Sequence, residues 1–273
     1  MPYSETIKAV LSDKMMMFTL LFFLITSLAG ALKTNITIYY CNYVLGTYAD
    51  GVTQTMLNAI GGIPMGIGVF VVWPLAKKIG KRNCIMLGMI IEIIGGFICI
   101  MAPTNMTIVL IGQFIKNMGA LPSAYVFMAL FADLLDHLEW KHGFRSDGIA
   151  MSIYSTITVV LTGVSIGVLN VVLSHSGYIK PFSATSDNLS QVLDTIKEAG
   201  YSMQLAVDQL KPTMDGVYTI ALNQNTATNN AMIFLFVGLE IITCAIGFIL
   251  LLFVNVEKDI DEKQKVIKER LEK

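Results

Sequence analysis

Six stretches of this chain are apolar for long enough to cross a lipid bilayer, and that constrains its fold more than any motif it contains. A hydrocarbon core of about 30 Å calls for about 20 mostly apolar residues in a helix. Residues 15–45, 54–76, 84–102, 106–131, 148–174 and 230–254 each meet that requirement. Backbone groups at membrane depth have no water to bond, so each stretch must satisfy its own as a helix. The expected fold class is an all-α, multi-pass membrane protein with six transmembrane helices in one bundle. It has a lead-in over 1–14, spans within 15–254 and a tail helix over 255–273. Its surroundings are lipid, and no stretch is left for a soluble catalytic domain.

Six spans put both termini on one side, and basic residues say which side. Lysine and arginine are retained on the cytoplasmic face. Lys8, Lys14, Lys77, Lys78, Lys81, Arg82, Lys141, Arg145 and the six basic residues after Val256 make fourteen of nineteen on the terminal side. The connections CNYVLGTYADGVTQ and APTNMT on the other side contain none. Both termini are therefore expected in the cytoplasm and the chain in the cell (inner) membrane. The net charge of −1 says nothing about partners, whereas the distribution of the basic residues does; no nucleic-acid partner is expected.

The one long outer connection, 176–229, contains DNLSQVLDTIKEAGYSMQLAVDQL, where apolar residues recur at helical spacing. It reads as a small exposed helical hairpin. In the tail, Ile260, Val266, Ile267 and Leu271 fall near one face among alternating charges, which suits a surface helix. Cys41, Cys84, Cys99 and Cys244 are widely spaced within or beside apolar runs, as buried small side chains would be.

Ionisable side chains at membrane depth are costly and mark functional candidates. Four qualify: Lys33, Glu92, Lys116 and Glu240. Lys33 stands in LAGALKTNITIYYCNYV, where Asn35, Thr37 and the tyrosines make the outer half of the first span polar enough to face a cavity. Lys116 has Asn117 and Gln113 as local partners, whereas Glu92 and Glu240 each stand alone in an apolar helix. Glycines at Gly62, Gly66, Gly68, Gly163 and Gly167 would let helices approach closely.

The stretch ADLLDHLEWKHGFRSDGIAMSIYS concentrates charge where one span ends. Asp133, Asp136 and Glu139 follow at spacings of three, which places them on one face of a continuing helix. Lys141 and Arg145 come next, the latter beyond a turn at Gly143. An arginine facing carboxylates across a break makes a directional lock. A second chemistry is open to the same residues: His137 and Glu139 beside two aspartates could hold a metal in a membrane-embedded enzyme.

The sequence ADLLDHLEWKHGFR followed by SIYS resembles the loop between the tenth and eleventh helices of the glycoside-pentoside-hexuronide:cation symporters, the melibiose permease group of the major facilitator superfamily. IYYCNYVLG, PLAKKIGKRN, HSGY and FVNVEKDIDEKQ extend the likeness across the C-terminal half of that family. The resemblance implies a major-facilitator-type bundle built as a 3+3 inverted repeat, and a sugar or glycoside carrier working by alternating access. It implies no enzyme activity and no cofactor beyond a coupling cation, sodium or proton. Asp133, Asp136, Glu139, Lys141 and Arg145 would form cytoplasmic gate ion pairs. Ser155 matches a hydroxyl position near the family's sugar and cation site, and with Tyr125, and with Lys33 and Asn35 from the polar half of the first span, it completes the expected substrate and cation cavity.

Two positions depart from the pattern, with Val159 where a cavity lysine is common and Ala124 where an aromatic is expected. The family's acidic cation-binding residues lie in its first bundle. A partner is therefore expected, either an N-terminal six-helix half or a second copy of this chain. The alternative is a truncated product without transport activity.

Overall fold

The computed structural model describes residues 3–47, 51–145 and 147–272, the side chains of residues 3–6 and of Leu271 excepted. Met1, Pro2 and Lys273 of the expected lead-in and tail lie outside these. Helices α1 (Tyr3–Ser12), α2 (Lys14–Tyr39), α3 (Gly51–Ile79), α4 (Lys81–Met101), α5 (Met106–His142) and α6 (Asp147–Ser176) come first. A module of β1 (Phe182–Thr185), α7 (Leu189–Glu198) and β2 (Val217–Ile220) follows. Helices α8 (Thr226–Ile233), α9 (Leu239–Leu252) and α10 (Ile260–Leu271) complete the order. Six of the described helices are long and apolar enough to span a membrane, the last starting at Thr226 and including α8 and α9.

Local chemistry fixes where the spans start and stop. Asp13 caps α2 by accepting from the backbone N–H of Met15 and Met16 at 3.0 and 3.1 Å, and Asn105 caps α5 through Thr107 and Ile108. Gly80 and Gly143 break the chain at φ 91° and 76°, where a side chain would be strained. The Glu257 carboxylate accepts from the N–H groups of Lys81 and Arg82 at 2.6 and 2.9 Å. A tail acid thus sits on the positive end of α4.

Packing runs in the series α6–α2–α9–α4–α5–α3. The tightest pair is α4 with α5, and its cause is a pair of glycines seven residues apart on each helix. A Cβ on Gly88 or Gly119 would strike the other helix's backbone, and Gly95 and Gly112 oppose each other in the same way. The glycines expected to mediate close approach are mostly elsewhere. An added Cβ on Gly62, Gly66, Gly163 or Gly167 would meet nothing within 4 Å, and only Gly68 of that set meets a neighbour, Leu121.

Two π-helical segments, Tyr40–Val44 after α2 and Phe234–Gly238 between α8 and α9, lie against each other. The rings of Tyr40 and Phe236 stack at 4.0 Å, and the Tyr40 hydroxyl donates to the Pro103 carbonyl at 2.5 Å. Wide turns of this kind re-aim side chains and recur at functional sites.

The outer connection is not a helical hairpin. Its first half forms α7, but Gly200 at φ 73° ends that helix. Beyond it Gln204 donates to the Ala221 carbonyl and Asn223 to the Ser202 carbonyl, so the second half is drawn into extended pairing. Strands β1 and β2 are antiparallel, Phe182 opposite Ile220 and Thr185 opposite Val217. Ala184, Ile196, Ile220 and Leu222 make a separate small core. The spacing of the segment is helical, yet pairing with residues distant in sequence overrides it. Gln224 clasps both backbone groups of Ile179 and closes the module at its stem.

The tail helix is held rather than free. Ile267 is buried, Gln264 donates to Asp136 at 2.8 Å and Arg270 donates to the Trp140 carbonyl. Lys263 lies over the Trp140 ring at 5.4 Å. Of the expected apolar face, the side chain of Leu271 lies outside the described residues.

Candidate functional site

The four ionisable residues at membrane depth come from α2, α4, α5 and α9 and gather in one place. Glu240 on α9 accepts the ammonium groups of two lysines. Lys116 is in direct contact with Oε2, and Lys33 lies 3.3 Å from Oε1. Lys116 is fully buried, its ammonium 5.9 Å from the centre of the Phe236 ring. Its stem lies against Gly95, where any side chain would displace it. The close α4–α5 approach therefore places this charge. The local partners expected of Lys116 do not hold it, since Asn117 donates instead to the Gln113 carbonyl. Nor is Glu240 alone: in hydrocarbon a charge without a partner would not persist, and its partner here is a pair of lysines.

Two cavities flank the charges. One of about 270 Å³ is bordered by Lys33, Thr37, Asn58, Gln113, Asn117 and Phe236. The other, about 370 Å³, is bordered by Glu92, Glu240, Ser27, Ser123, Phe127 and Tyr154. Met65 of α3 borders both. Amides, hydroxyls and one ammonium around an aromatic face are groups that hydrogen-bond and stack a polyhydroxylated ligand.

Of the expected cavity residues, Lys33 borders a cavity directly. Asn35 donates to the Ser165 hydroxyl at 2.9 Å and ties α2 to α6. The Tyr125 hydroxyl donates to the Met65 carbonyl at 2.5 Å, and its neighbour Ala124 faces the larger cavity in its place. Ser155 is exposed on α6, while the preceding Tyr154 borders the cavity and stacks on Phe23 at 4.2 Å. One residue of helix is a rotation of about 100°, enough to move a position from one face to the next.

The charged end of α5 does not form one cluster. Asp133 pairs with Lys81 at 2.5 Å, Asp136 with Gln264, and Glu139 with Arg145 at 3.7 Å. Three residues of helix fall about 60° short of a full turn, so the carboxylates sweep around the helix instead of sharing a face. Arg145 lies beyond Gly143 as expected, but its shorter bond is to Asp147 at 2.5 Å. Lys141 binds Asp13 at 2.6 Å, with His137 3.6 Å from the same carboxylate.

Burial opposes the charge on Asp13, but His137, Lys141 and the Met16 N–H hold its carboxyl well below the usual range. A lowered folded-state value gives stability that is present above the ordinary carboxylate range and lost as pH falls through and below it. The metal reading fails on the same geometry. A metal needs the carboxylates to converge, and among the described residues no three of the ligand-forming side chains do.

Asp13 and Lys81, absent from the expected site, are thus partners of residues within it. Asp13 stands directly before an apolar run, the signature of a helix cap.

The family model described as MFS/sugar transport protein matches residues 1–202. The chain belongs to that family. Among curated members it is 26% identical to the isoprimeverose transporter of Lactiplantibacillus pentosus, over 59% of this chain and 33% of the relative. It is 28% identical to a putative sulfoquinovose importer of Escherichia coli (strain K12), over 62% and 36%. With the raffinose carrier protein of Pediococcus pentosaceus it shares 23% identity over 67% and 28%. The chain spans about a third of the length of the curated relatives it matches. In this MFS bundle, the buried charges and the two cavities lie among helices that the family match includes, α9 and the π-helical segment Phe234–Gly238 excepted.

Proposed function

We infer that this chain is the C-terminal six-helix half of a cation-coupled sugar or glycoside symporter that works by alternating access. The observation that carries this reading is the bundle's open side. Spans α3 and α6 are the least buried of the six, and both contribute to the larger cavity, through Met65 and Tyr154. A first bundle seated on α3 and α6 would close that cavity from the other side and complete a substrate chamber between two bundles. That first bundle belongs either to the same polypeptide or to a separate one, and a second copy of this chain is the remaining candidate.

Both termini face the cytoplasm in this reading, on the retention of basic residues. Asp133, Asp136, Glu139, Lys141 and Arg145 then border the cytoplasmic gate. Arg145 is 64% exposed at its side chain, loosely held by Glu139 and tied at 2.5 Å to its near neighbour Asp147, so exchange of partners with a facing bundle would release the Asp147 bond. A switch needs contacts that differ between states, and this one has the reach for it.

Uptake of a labelled glycoside into cells tests the proposal. We expect uptake when the chain is expressed beside a first bundle taken from one of the curated relatives, and background when either is expressed alone. Absence of uptake when both are in the membrane and co-purify would contradict it. Uptake by the chain alone would remove the need for a first bundle.

A further inference from the structure

The two membrane-embedded glutamates are not equivalent. Glu240 has an ammonium at each carboxylate oxygen, whereas Glu92 has no lysine, arginine or histidine within 4 Å among the described residues. Both border the 370 Å³ cavity, together with the hydroxyl-bearing Ser27, Ser123 and Thr243. Water in that cavity would give Glu92 a route for protons. The elements packed around Glu92 bring it neighbours of both signs. From α2 comes Lys33, from α5 Lys116, and from α9 Glu240 and Cys244, each near enough to act on its charge. Helix α3 brings Met65 and no ionisable group to the cavity.

With both glutamates ionised, two positive and two negative charges balance. With a proton on Glu92 the group carries one net positive charge. In a low-dielectric interior that difference is large, and the least restrained charge responds to it. That charge is Lys33. Its distance to Glu240 is the longer of the two, and its side chain is 21% exposed against 1% for Lys116.

We propose that Glu92 is a proton-binding site of this bundle, and that its proton decides whether Lys33 stays on Glu240 or turns toward Glu92. Proton binding at Glu92 neutralises a carboxylate and leaves Lys33 to Glu240. Proton release restores a second anion that competes for Lys33, and α2 carries that change to the polar row above it. The role in coupling rests on the carrier reading, and it names the proton as an ion that this bundle handles.

Infrared difference spectroscopy of the purified chain in lipid nanodiscs tests the site without sugar or transport. Near neutral pH exposed carboxylates stay ionised, so a protonated-carboxyl band that grows there on acidification reports an embedded acid. We expect that band in the wild type and its loss in Glu92→Gln. Lys33→Met removes a cation that favours the ionised form, and should raise proton affinity at least tenfold, moving the midpoint up by about one pH unit. A band that persists in Glu92→Gln, a wild type with no such band, or a midpoint unmoved in Lys33→Met would each overturn the proposal. If Glu92→Gln does not fold, the Lys33→Met midpoint decides. A normal titration with no glycoside uptake would count against the carrier reading and leave the proton site standing.

Discussion

Replacing Glu240 with alanine should remove most of the folded chain recovered from membranes. The substitution leaves Lys33 and Lys116 with no counter-ion beyond Glu92, and breaking a buried ion pair on one side costs about 3–5 kcal/mol. Lys116 has no route to water, being 1% exposed. Lys116→Met should cost less, because Lys33 remains on Glu240 and the methionine fills the stem's volume beside Gly95. Lys33→Met should cost least, since that ammonium is partly solvated. Thermal unfolding of a fluorescent fusion in detergent, followed by size exclusion, gives the order. Three equal losses would mean that the charges act separately and not through Glu240.

The second large effect is expected at Gly119. A Cβ there would lie 2.6 Å from the Gly88 carbonyl and against the Glu92 backbone, and neither can yield as a flexible side chain would. Overpacking of a tight contact costs about 1–3 kcal/mol, and here it also pushes α4 away from the lysine that α5 supplies. Gly119→Val should therefore lower thermal stability and weaken the buried ion pairs together. Gly163→Ala on α6, with nothing within 4 Å, should be neutral or slightly stabilising. The same unfolding measurement on both variants checks the contrast, and equal behaviour would contradict close α4–α5 contact as the frame of the site.

Much of the architecture is legible in the sequence because bilayer thickness fixes the length of an apolar run. The spans agree with expectation to within a few residues at most ends, apart from α5, which continues to His142 through the charged stretch. The four residues at membrane depth are also legible as candidates, since each breaks an apolar run. Their convergence is not, because it depends on which helices are neighbours. That in turn depends on glycines seven apart, LGMIIEIIGG on α4 and GQFIKNMG on α5, a pattern visible in the sequence once antiparallel packing is considered.

Partners at long range are hidden for the same reason. Nothing local says that Lys141 meets Asp13, or that Glu257 caps α4 from 175 residues away. The outer module departs from its helical spacing because periodicity within YSMQLAVDQL cannot reveal that residues 221–223 are waiting to pair with it.

Charges from separate membrane helices form one network at the heart of this bundle, and its closest contact joins Lys116 to Glu240. Exchange of those two charges tests the network most directly. In a Lys33→Met background, which removes the second cation on Glu240, Lys116→Glu and Glu240→Lys should each abolish most of the folded chain, whereas the double exchange should restore a large part of it, because the pair is recreated with its ends reversed. A double exchange as unstable as the two single changes combined would show that Lys116 and Glu240 do not meet.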